Sequence, residues 1–205
     1  MKLRNAVLIA ALIAGGSFYL THWFDVIEPW KTAWKGLGVG LLAVWAAMKA
    51  RSTDGWLLAA VLALGALGDV LLEAVSLTVG AVAFLAGHLV AVGLYLRNRE
   101  KPVWPAALIA VVVAGISYAL PADRAAAPGI ALYALGLGAM AGTGWASRFS
   151  ANGVALGALL FVISDLLIFA RLGPMADSSL PGLLIWPTYF AGQVLIARGV
   201  VRTSE

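Results

Sequence analysis

Long apolar runs broken by short polar connectors dominate the chain, and their spacing predicts its elements before any single residue is weighed. Eight such runs stand at 5–22, 32–48, 56–73, 76–96, 103–120, 128–146, 153–170 and 183–200. A hydrocarbon core about 30 Å thick is crossed by about 20 helical residues, so each run reads as a membrane-crossing helix. The connectors carry helix breakers: Glu28-Pro29 before the second run, Ser52–Gly55 before the third, Lys101–Pro105 before the fifth and Pro121–Gly129 before the sixth. The longest break, Arg171–Gly182, separates the seventh run from the eighth.

Composition agrees with this pattern. Of 205 residues, 62% are hydrophobic and 12% charged, with a mean hydropathy of +0.93. Soluble domains carry about 25% charged residues, so the chain cannot build an ordinary water-facing surface. The expectation is an all-α polytopic membrane bundle of eight transmembrane helices, forming one domain over residues 1–205. The net charge of +4 does not point to nucleic acid, because the basic residues lie in the connectors. The chain has no cysteine, which excludes disulfides, thiolate metal sites and a cysteine nucleophile.

Charge also predicts a direction. With the N-terminus inside, Lys2, Arg4, Lys49, Arg51, Arg97, Arg99, Lys101, Arg148, Arg198 and Arg202 face the cytoplasm, and Lys31, Lys35, Arg124 and Arg171 face out. Ten of the 14 basic residues are then internal, as the positive-inside bias requires. Both termini are expected in the cytoplasm, and the protein in the cell membrane. The opening MKLRNAVLIAALIAGGS is read as the first span and not as a cleaved leader, since no A-x-A site follows it. Trp23, Trp30, Trp34, Trp56, Trp104 and Trp186 fall near span ends, as an interfacial aromatic belt would. Gly36/Gly40 and Gly138/Gly142 form GxxxG pairs suited to close helix approach.

The third and seventh runs echo each other around an acid, GALGDVLL (65–72) against FVISDLLI (161–168), and the fourth and eighth share FLAGH (84–88) against YFAGQ (189–193). The echo suggests tandem four-helix repeats, 1–100 and 101–205, related by an axis along the membrane normal.

Candidate chemistry lies in the few polar residues inside the apolar runs. An aspartate at a helix centre costs about 2.5–3.5 kcal/mol on insertion scales, which makes an intramembrane acid a functional hypothesis. At 1.5 Å per residue, Asp69 lies roughly 20 Å from the inner surface, and Asp165 falls at nearly the same level. Tyr189 and Gln193, four apart, share a face of the eighth helix. Lys35 lies below the outer end of the second, and His88 sits deeper on the fourth. Glu73 belongs to the outer rim, and His22 to the first outer loop. Each also has a structural reading: Asp69, Asp165, His88, Tyr189 and Gln193 as interhelical hydrogen bonds, and Lys35 as a snorkelling cation. No P-loop, HExxH or GxSxG pattern occurs, and two histidines cannot build a three-histidine zinc site. Two facing carboxylates can divide acid and base work, one protonated and one ionised, which suits addition of water to an acid-labile bond.

Taken together, GDVLLE, FLAGHL, FVISDLLIFAR and TYFAGQVLIARG on successive helices resemble the YhhN-like lysoplasmalogenase family. The resemblance runs from about residue 35 to residue 200 and is anchored on Gly68–Asp69, His88, Ser164–Asp165, Tyr189 and Gln193. Lys35 is followed by Gly36 where relatives often have Lys-Pro. The resemblance implies eight membrane helices and hydrolysis of the vinyl-ether bond of a lysophospholipid substrate to a fatty aldehyde and a glycerophospho-alcohol. It implies Asp69 and Asp165 as the acid–base pair, with His88, Tyr189, Gln193 and Ser164 in support and Lys35 toward the phosphate, with neither metal nor cofactor. Two other readings compete. An intramembrane aspartyl protease would need G-x-G-D, and Ala66 breaks that motif. A proton-coupled small-molecule or lipid transporter would use Asp69 and Asp165 as proton carriers.

Overall fold

The computed structural model describes residues 2–204, which form eight α-helices at the eight expected places. They are α1 (Lys2–Phe18), α2 (Trp30–Lys49), α3 (Thr53–Ala74), α4 (Leu77–Arg97), α5 (Trp104–Ala119), α6 (Ala127–Ala146), α7 (Leu156–Arg171) and α8 (Leu180–Ser204). A 3₁₀ turn over Tyr19–His22 extends α1, and a π-helical turn over Ala151–Ala155 leads into α7.

Six helical segments among the described residues are long and apolar enough to cross a membrane: Lys2–His22, Thr53–Ala74, Leu77–Arg97, Ala127–Ala146, Ala151–Arg171 and Leu180–Thr203. The chain is a multi-pass membrane protein. The other two helices fall outside this group: α5 has 16 residues, and α2 carries Lys31, Lys35 and Lys49.

Local sequence accounts for the helix starts. The Ser52 side chain accepts a hydrogen bond from Gly55 N at 3.4 Å, and Ser76 accepts from Val79 N at 3.2 Å, so each satisfies an otherwise orphaned first-turn N–H of α3 or α4. Pro105 and Pro128 stand in the first turns of α5 and α6, where the missing N–H costs nothing.

Helices adjacent in sequence pack as neighbours except α4 and α5; α4 lies on α6 instead, and α8 reaches back to α2 and α3. The α2–α3, α4–α5 and α6–α7 connectors meet at one end. There Asp54 receives Arg97 Nε and Arg148 Nη2, each at 3.4 Å, and Arg148 Nε donates to Asn98 Oδ1 at 2.6 Å. At the far end Trp34 Nε1 donates to Ala14 O at 3.0 Å, and Ala122 N donates to Leu172 O at 3.0 Å.

Glycine governs how closely several helices approach. A Cβ at Gly138 would lie 2.7 Å from Ala110 Cα, and one at Gly142 2.5 Å from Ala106 Cα, so this GxxxG pair is the α5–α6 contact. The other expected pair is used unevenly: Gly36 is tight against Val70, whereas a Cβ at Gly40 would make only ordinary contact with Ala66.

The core is lopsided. Leu42, Leu58, Leu62, Leu94, Tyr95, Leu137, Met140, Val154 and Val200 are fully buried, and they fill the bundle toward its basic end. The far half is hollow. The aromatic belt is only partly as expected. Trp23, Trp30, Trp56 and Trp104 are exposed. Trp186 is buried against α1, its indole N–H donating to Gly15 O at 2.7 Å, and Trp34 is partly buried. Both indoles find carbonyl partners on α1, which draws them inward from the interface.

Candidate active site

A cavity of about 490 Å³ occupies the hollow half, walled by residues of α2, α3, α4, α6, α7 and α8. Such a volume lies within the usual range for small-molecule sites, roughly 300–1,000 Å³. Asp69 of α3 and Asp165 of α7 both line it, and both residues are otherwise buried, at 2% and 5% exposure.

Each carboxylate is held by a tyrosine. Tyr189 Oη donates to Asp69 Oδ2 at 2.8 Å, and Tyr133 Oη donates to Asp165 Oδ2 at 2.5 Å. Behind each tyrosine stands a second polar group: Gln193 Nε2 donates to Tyr189 Oη at 3.3 Å, and His88 Nε2 lies 3.1 Å from Tyr133 Oη. A hydroxyl has one proton. With that proton directed at Asp165, the His88 contact requires His88 Nε2 to carry hydrogen and donate. The site thus contains two parallel chains, Gln193–Tyr189–Asp69 and His88–Tyr133–Asp165.

Backbone spacing makes this possible. Tyr189 and Gln193 are one turn apart on α8 and present one face. That face fits against α3 only because residue 65 is glycine: a Cβ there would lie 2.9 Å from Gln193 Nε2. Gly68, beside Asp69, likewise admits Phe84, whose Cδ2 would be 2.6 Å from an added Cβ. Ser164 is buried and donates its hydroxyl to Ile185 O at 3.1 Å, which ties α7 to α8 beside Asp165. Phe161 stands between the two chains, its ring 5.1 Å from Tyr189 and 5.0 Å from His88, both edge to face.

The resemblance implied His88 and Gln193 as supporting residues. Neither lines the cavity, and each reaches an acid through a tyrosine. Tyr133 was missed. It is the one hydrogen-bonding side chain between Ala127 and Gly142, a signal that an apolar stretch could have yielded. Its role depends on α4 and α6 being neighbours. Trp186, assigned to the belt, instead forms part of the cavity wall.

Lys35 does line the cavity, and its Nζ pairs with Glu73 Oε1 at 2.6 Å. Glu73 is therefore not simply a solvated rim residue. The two side chains are 15% and 31% exposed, so the pair sits at the mouth. The rest of the lining is mostly apolar, including Leu72, Leu77, Leu85, Ile130, Ile168 and Phe169. Such a site would hold an apolar chain, with two acids at its inner part and one cation at its mouth.

Comparison with known proteins agrees with this picture at the level of family. A model of the YhhN family matches residues 30–200. No curated protein and no solved structure matches the chain.

Proposed function

The chain belongs to the YhhN family, which includes lysoplasmalogenases, and on that premise we propose that it is a lysoplasmalogenase-like hydrolase of the vinyl-ether bond of lysophospholipids. The observation that carries the reading is the pair Asp69 and Asp165, both lining one mostly apolar cavity and each oriented by its own tyrosine.

The reaction follows from general acid–base chemistry. One aspartic acid protonates the vinyl carbon beta to the ether oxygen, giving an oxocarbenium ion. The other, ionised, takes a proton from a water as that water adds to the cationic carbon. The resulting hemiacetal collapses when the first carboxylate removes its hydroxyl proton and the second returns a proton to the departing oxygen. Fatty aldehyde and glycerophospho-alcohol leave, and both carboxyls regain their starting states. Tyr189 and Tyr133 fix the carboxylates, Gln193 and His88 fix the tyrosines, and Ser164 holds the α7–α8 seam. Lys35 meets the phosphate at the mouth. With both termini cytoplasmic, as the charge pattern predicts, the mouth opens toward the outer leaflet.

Purified protein should release fatty aldehyde from a vinyl-ether lysolipid, and Asp69→Asn and Asp165→Asn should each reduce the rate by about 10²–10⁴-fold, the usual contribution of a positioned acid or base. Full activity in either variant would remove the paired-acid mechanism. Proton-driven uptake into vesicles without turnover of any lysolipid would favour the transporter reading.

A further inference from the structure

The cavity does not end at its mouth. Val82 of α4 and Leu132 of α6 both line it, yet they are 63% and 66% exposed on the outer face of the bundle. The cavity therefore reaches the apolar flank of the protein between α4 and α6. The seam between these helices is closed on one side of the gap and open on the other. A Cβ at Gly136 would lie 2.5 Å from Leu85 Cδ1, so there the helices touch. Two turns toward the N-terminus of α6, a Cβ at Gly129 would meet nothing within 4 Å, although Gly129 lines the cavity. The facing residues are small or apolar: Ala81 and Leu77 on α4, and Ala125, Ala126 and Ile130 near the start of α6.

From this geometry we propose a lateral portal between the N-terminal halves of α4 and α6, through which the single hydrocarbon chain of a lysolipid passes from the bilayer to the two carboxylates. The portal rests on the lipid-hydrolase reading for its ligand and adds to it a route. Its polar counterpart is Lys35, the one basic residue of the lining, which Glu73 pairs at 2.6 Å. A methylene fills about the volume of a water, roughly 30 Å³, so a cavity of about 490 Å³ has room for about one hydrocarbon chain.

The chain has no cysteine, so Gly129→Cys gives a single thiol in the portal, in open space where the new side chain meets nothing. Val111→Cys, on the exposed flank of α5, is the control. Both variants are placed in lipid nanodiscs and labelled with a membrane-permeant maleimide. The competitor is a saturated ether lysophospholipid, which has no vinyl bond to cleave. At ten times its half-protecting concentration it should slow labelling of Gly129→Cys about tenfold, by simple occupancy, and leave Val111→Cys unchanged. Equal effects on the two thiols would overturn the portal. Protection of Gly129→Cys in a protein that releases no aldehyde from vinyl-ether lysolipid would support the portal and reject the hydrolysis.

Discussion

Tyr133 on α6 donates a 2.5 Å hydrogen bond to Asp165 on α7, and His88 on α4 stands 3.1 Å behind its hydroxyl. This bond joins three helices at one buried point, and it has the same form as the Tyr189 bond to Asp69. The acids are thus aimed by groups that do not themselves need to touch substrate.

Tyr133→Phe and Tyr189→Phe should each lower kcat for vinyl-ether hydrolysis by about 10–100-fold with little change in KM. The basis is that an unsatisfied buried hydrogen-bonding partner costs about 1–3 kcal/mol. Steady-state kinetics on the purified variants reads the split. A rise in KM with kcat intact would instead make the tyrosines substrate contacts.

His88→Gln should retain most activity, and His88→Leu should behave like Tyr133→Phe. Glutamine can donate to a tyrosine hydroxyl, as Gln193 does to Tyr189 at 3.3 Å, whereas leucine cannot. Equal loss in both variants would show that the imidazole does more than orient Tyr133.

Gly65→Ala tests the α3–α8 fit. Alanine favours helix over glycine by about 1 kcal/mol, so thermal stability should not fall through backbone effects. The added methyl would press on Gln193 Nε2 at 2.9 Å and disturb the Asp69 chain, lowering kcat. Activity measured beside the melting temperature separates the two effects. A variant as active as the parent would mean that Gln193 can give way freely.

Lys35→Gln should raise KM for phosphate-bearing lysolipids about tenfold, in line with roughly 1.5–3 kcal/mol for a hydrogen bond to a charged group, and leave kcat in place. Glu73→Gln should lower KM, because it releases the Lys35 ammonium from its 2.6 Å partner. Both effects should weaken as salt is added, since charge near the surface is screened. Unchanged KM in both variants would make the pair a structural clasp at the mouth.

Much of this architecture was readable in the chain because burial in a membrane is written in composition. Eight apolar runs became eight helices within a few residues, since each must satisfy its own backbone hydrogen bonds. Asp69 and Asp165 announced themselves by the cost of placing an acid there. Trp186 was misread because a tryptophan near a helix end suits either an interface or a buried hydrogen bond, and only Gly15 O decided between them. His88 and Gln193 were recognised as polar, but their distance from the substrate space depended on the tyrosines in front of them.

The sequence by itself determined the helices, the presence of an acid within two apolar ones and the i, i+4 pairing of Tyr189 with Gln193, all of which follow from hydropathy and helical period. Only the tertiary structure decided that Tyr133 serves Asp165, that Lys35 pairs with Glu73, and that the far half of the bundle is hollow and open between α4 and α6. The reason is physical. Rise and periodicity are properties of one helix, whereas a shared proton, an ion pair or a gap requires knowing which helices are neighbours. In lipid that choice rests on close packing at small residues such as Gly65, Gly68 and Gly136, whose partners lie on other helices.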